Sequence, residues 1–64
     1  MDESNNVKST VRTLRILELL ESSKTSLSLT DVCKNLNLPK SSTFAIISTL
    51  VNEGYIEKTS PRKF

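Results

Sequence analysis

A helical pattern breaks at Asn37-Leu38-Pro39 and resumes at once, and no other feature constrains the fold of this chain as tightly. Before the break, Val32, Cys33 and Leu36 recur at the spacing of one helix face. After it Thr43, Ile47 and Leu50 do the same, with Ile46 and Val51 at the edges. Asn tolerates positive φ better than most side chains, so Asn37 is the expected left-handed turn residue. Pro39 suits the first turn of the next helix, where a missing N–H is no loss. The second helix runs through Lys40 to about Asn52 or Glu53, and Gly54 is its expected stop. Two short helices flanking such a turn make a helix-turn-helix.

The flanking segments complete a small domain. Val11, Leu14, Leu17 and Leu20 form an apolar stripe at helical spacing, broadened by Ile16 and Leu19, with Ser9 or Thr10 as N-cap. Arg15 stands three residues before Glu18, close enough on a helix for a weak ion pair. Residues 1–8 show no periodicity and read as an arm, and residues 22–26 as a loop. Leu27 and Leu29 alternate with polar neighbours, which fits a very short strand. Ser28 followed by Asp31 three residues later resembles a capping box, placing a helix start near Leu29. Tyr55-Ile56-Glu57-Lys58 reads as a strand, Thr59-Ser60-Pro61 as a turn and Arg62-Lys63-Phe64 as the start of a returning strand. The chain reads as truncated within that strand. The expected fold is mainly α, a winged helix-turn-helix of three helices plus a small antiparallel β-wing over residues 9–64.

At 64 residues the chain is near the size where one core only just supports folding. A single cysteine allows no internal disulfide, and with no histidine Cys33 cannot build a zinc site, so neither metal nor cofactor is expected. Cys33 reads as a small core residue. No apolar run approaches the roughly 20 residues of a membrane span. The N-terminus Met1-Asp2-Glu3-Ser4-Asn5-Asn6 is the opposite of a secretory signal, so a soluble cytoplasmic chain is expected. Net charge is only +2, yet it is unevenly spread. Residues 1–32 hold four basic and five acidic side chains, and residues 33–64 hold five basic and two acidic. The positive excess sits with the second helix of the motif and the wing. No activated nucleophile, Gly-rich loop or paired thiol is present, which excludes the common enzyme chemistries.

A helix presented to DNA needs small or polar residues in its first turns, so that base edges and phosphates can approach. Lys40, Ser41, Ser42, Phe44 and Ser48 supply these, and the free N–H groups near Lys40 and Ser41 suit a phosphate oxygen. The same residues also fit an ordinary exposed helix surface. Phe44 either meets a thymine methyl or sugar, or folds back into the core. Arg62 and Lys63 either reach phosphates or a minor groove, or serve as solubilising charges.

VKSTVRTLRILELLESS, SLSLTDVCKNLNLPKSSTF and TLVNEGYIEK together resemble the N-terminal domain of IclR-type bacterial transcriptional regulators, over nearly the whole chain from Val7. LPKSST combined with TLVNEGYIEK carries most of the likeness. The resemblance implies that Lys40, Ser41, Ser42 and Phe44 belong to a recognition helix in the major groove of operator DNA. It also implies a C-terminal effector-binding domain outside residues 1–64, to which any small-molecule sensing would belong. Family members commonly carry arginine where this chain has Ala45, so a DNA contact is lost there. Double-stranded DNA is thus the expected partner, with a homodimer as a further expectation. A winged helix that docks onto protein instead, or a small RNA-binding domain, remains open as a rival.

Overall fold

Ser28 and Asp31 start the central helix by capping each other. The Ser28 N–H donates to Asp31 Oδ2 at 3.2 Å, and the Asp31 N–H donates to Ser28 Oγ at 3.1 Å. This capping box satisfies amides that a helix start leaves unpaired. It opens α2 (Leu29–Leu36). The computed structural model describes residues 7–59 and 63–64. Two further helices surround α2 in sequence, α1 (Lys8–Ser22) and α3 (Lys40–Asn52).

The turn between α2 and α3 takes three residues. Asn37 adopts φ 54 and ψ 52, the left-handed conformation that ends α2, and the Leu38 N–H donates to the Cys33 carbonyl at 3.1 Å. Pro39 is the residue before α3, one position earlier than the first-turn place expected from sequence. Its extended backbone aims its carbonyl at the Thr43 N–H, at 3.1 Å. At the other end of α3, Gly54 has φ 84. There the Gly54 N–H donates to Val51 O at 3.1 Å and the Tyr55 N–H to Leu50 O at 2.8 Å. This is the closure that a left-handed residue makes available.

Each helix packs on the other two, and one core joins them. Ile16, Val32, Ile47 and Leu50 form its buried centre, with partly buried aliphatic side chains from all three helices around it. Thr43 is fully buried among them. The expected inner residues of α2 and α3 thus hold, with Cys33 half-buried and free. On α1 the stripe is rotated from its expected position. Ile16 is the fully buried residue, whereas Leu14 is 52% exposed. Side chains two positions apart point to nearly opposite sides of a helix, so α1 cannot bury both. Helix α1 also begins at Lys8, with Val7 as an N-cap that makes no side-chain bond, in place of the Ser9 or Thr10 cap. The expected Arg15–Glu18 ion pair is present at 3.0 Å on the surface.

Among the described residues no regular strand forms. Tyr55–Lys58 is not a strand, because the Tyr55 and Ile56 amides turn back to the Leu50 carbonyl, at 2.8 and 3.4 Å, instead of offering themselves to a ladder. What closes this end of the domain is one antiparallel bridge between Ser28 and Lys63. Beside it, the Thr59 N–H donates to the Lys63 carbonyl at 2.9 Å, and the Thr59 hydroxyl donates to Ser26 Oγ at 2.8 Å. Residues 1–6 of the expected arm, and Ser60, Pro61 and Arg62 of the expected wing, lie outside the described residues.

Candidate nucleic-acid interface

Burial of Thr43, Ile47 and Leu50 decides which way α3 faces. Successive side chains on a helix turn by about 100°. The row opposite the core is therefore Ser41, Ala45, Ser48 and Asn52, of which Ser41, Ala45 and Asn52 are exposed and Ser48 is half-buried. Phe44 flanks this row on one side, Ser42 and Thr49 on the other, and Lys40 stands exposed at the first position of the helix. Every side chain in the row is short, so the helix backbone can come close to whatever it faces.

Phe44 does not fold back into the core; it is 56% exposed. Together with Ser48, Val51 and Asn52 of α3, and Lys58 and Phe64 beyond it, Phe44 lines a shallow groove of about 140 Å³. This groove separates the outward row from the segment that follows α3. On the other side of the row, a second depression is lined by Ala45, Ile46, Thr49 and Leu50 of α3 and Thr13 of α1. A further concavity lies elsewhere, between Leu17, Leu20 and Glu21 of α1 and Tyr55, Ile56, Glu57, Thr59 and Phe64, and no α3 residue lines it.

Two hydroxyls of α3 are turned inward to its own backbone. Ser42 Oγ donates to the Pro39 carbonyl at 3.4 Å, and Thr49 Oγ1 donates to the Ala45 carbonyl at 2.9 Å. Ser42 is half-buried and stands at the edge of the outward face, whereas Ser41 occupies it. No side chain caps the start of α3, so the first amides, at Lys40 and Ser41, carry the positive end of the helix dipole beside the Lys40 ammonium.

The remaining basic candidates separate. Lys63 sits across from Ser28, near the start of α2. The Asp31 carboxyl there is held below its ordinary value, first by the Ser28 N–H, then by the Ser28 hydroxyl, and further by the charges of Lys63 and Lys34. Arg62 lies outside the described residues. The structure thus brings Ser41, Phe44 and Ser48 onto one side of α3, leaves Lys40 exposed at its start, and places Lys63 across from Ser28 at the start of α2. Ala45 and Asn52 join the outward row, although sequence reading did not count them among the contacts. Continuing the helical register from Ser41 would have found both. Lys58 had no such signal, since only the folding-back of the segment after Gly54 carries it to Phe44 and Ser48.

The sequence matches a known family. Residues 9–60 match the family model of the IclR helix-turn-helix domain. The chain belongs to the IclR helix-turn-helix family. Comparison with curated proteins and with solved structures gave no significant match in either case. As an IclR helix-turn-helix domain it is a DNA-binding regulatory domain, in a family that is not an enzyme class. Among the described residues of this IclR domain, no group of His, Cys, Asp and Glu could hold a metal ion. No described helix is long and apolar enough to cross a membrane.

Proposed function

We propose that residues 9–64 read duplex DNA sequence-specifically, as the DNA-binding head of a bacterial transcriptional regulator. Helix α3 lies in the major groove, where Ser41, Ser42, Phe44 and Ser48 approach base edges or sugars. Lys40 holds a phosphate at the start of the helix. The segment after Gly54, with Arg62 and Lys63, acts as a wing on the backbone or the minor groove. The observation that carries this reading is the outward row of short side chains on α3, beside the 56% exposed Phe44. A major groove about 12 Å wide admits an α-helix, and short facing side chains let its backbone come close to the base edges.

Two copies on a two-fold operator, about one helical turn apart, belong to the proposal. Val7 and the half-exposed Leu14 lie on the side of α1 away from Ile16 and offer apolar surface to a second copy. Response to a small-molecule effector is assigned to a C-terminal domain outside residues 1–64.

Selection of this chain against a random duplex library at low salt tests the reading. The expected result is an enriched palindromic motif whose half-site spacing reports pairing on DNA. A folded chain that binds no duplex would overturn it and leave protein docking as the function of the exposed Phe44.

A further inference from the structure

Building on that reading, we infer that α3 selects its half-site through thymine methyl groups, contacted by Ala45 and Phe44, and not through hydrogen bonds to guanine. The argument begins with what the outward surface of α3 lacks. Guanine is read mostly by the paired donors of arginine or by lysine. The outward row and its flanks hold Ser41, Ser42, Phe44, Ala45, Ser48, Thr49 and Asn52, and Lys40 is the one basic residue of the helix. Lys40 stands at its first position, beside the uncapped amides that suit a phosphate. Serine hydroxyls both donate and accept, so Ser41 and Ser48 can meet any base pair and discriminate poorly.

Apolar contact is what remains for discrimination. Thymine alone presents an apolar group in the major groove, its 5-methyl. Ala45 is exposed in the centre of the row, one turn after Ser41, and its side chain is a single methyl. Phe44 adjoins it and leaves more than half of its surface in water. Covering that surface with a methyl is favourable, whereas covering it with the polar edge of a G·C pair strips hydrogen bonds from the base. Asn52 lies in the last turn of the same row, and asparagine pairs best with adenine. The three side chains therefore agree on A·T pairs. The groove between α3 and Lys58 suits the sugar–phosphate strand, with Lys58 at its rim and Val51 and Phe64 along its wall.

Uracil in place of thymine removes only the methyl and leaves the protein untouched. The test measures affinity of the best selected duplex with thymine, and with uracil at each position in turn. Each contacted methyl should be worth about four-fold, the factor that follows from burying one such group. Phe44→Ala and Ala45→Ser, checked for folding by circular dichroism, should each abolish the thymine–uracil difference at one position. Ala45→Arg should move the selected motif towards guanine. Equal affinity for thymine and uracil duplexes overturns the inference, as does salt-sensitive binding with no enriched sequence. Both leave duplex binding standing, whereas absence of duplex binding removes the DNA-reading function itself.

Discussion

Leu27 and Phe64 exchange both backbone hydrogen bonds, the Leu27 N–H donating to Phe64 O at 3.1 Å and the Phe64 N–H to Leu27 O at 2.9 Å. This pair joins the approach to α2 with the far end of the chain, and the half-buried Phe64 ring packs against the core as it does so. The tie also holds Lys58 and Phe64 beside α3, where they line the groove with Phe44.

Phe64→Ala should therefore weaken both the fold and the groove. Full truncation of a buried phenylalanine costs about 3–5 kcal/mol. For a half-buried ring about half of that is expected, read as a lower midpoint in urea unfolding. An unchanged midpoint would mean that the tie contributes nothing to stability.

Thr43 offers the opposite change. Its side chain is fully buried and its hydroxyl has no hydrogen-bond partner. The nearest helical acceptor, the Pro39 carbonyl, already takes the Thr43 N–H and the Ser42 hydroxyl. Thr43→Val keeps the shape and removes the unpaired group, so stability should rise by about 1–2 kcal/mol. Thermal unfolding that shows a loss instead would establish that the hydroxyl is satisfied in solution.

The capping box makes the fold sensitive to acid. Asp31 is held below its ordinary value chiefly by the Ser28 N–H and hydroxyl. A carboxyl whose folded value is depressed stabilises the fold above its unfolded value, near 3.9. That contribution is lost as pH falls through the lower, folded value. Asp31→Asn should thus flatten the pH dependence of stability below about pH 4. Ser28→Ala removes the cap itself and should cost about 1 kcal/mol at neutral pH. Urea midpoints for both variants between pH 2 and pH 7 check the two effects together.

On DNA, Lys40→Ala and Lys58→Ala should each weaken binding to all duplexes alike. Each should also reduce the slope of log affinity against log salt by about one. Ser42→Ala separates a reading role from an internal one, since its hydroxyl already bonds to Pro39. An altered selected motif would assign Ser42 to base reading. The same motif with lower stability would leave it as a brace for the turn.

Several features that depend on residues within about five positions of each other were legible along the chain. The Ser28–Asp31 box, the left-handed Asn37, the Gly54 stop and the inward face of α3 all follow from local hydrogen bonds and helical period. These interactions do not depend on what lies across the core. The placement of Ser41, Phe44 and Ser48 on the outer side of α3, with Lys40 at its start, was legible for the same reason, as positions on one helix. Other choices needed the packed molecule. The apolar stripe of α1 is wide enough to turn either way, and contact with α2 and α3 decides that Ile16 is covered and Leu14 is not. Tyr55–Lys58 has strand-like composition, but its first amides close α3 and the edge of the domain is held by a single bridge. Lys58 comes to line a groove with Phe44, and the charge of Lys63 comes to act on Asp31, only through that closure. Period and capping act within one helix, whereas these placements arise when separate segments compete to cover the same apolar surface.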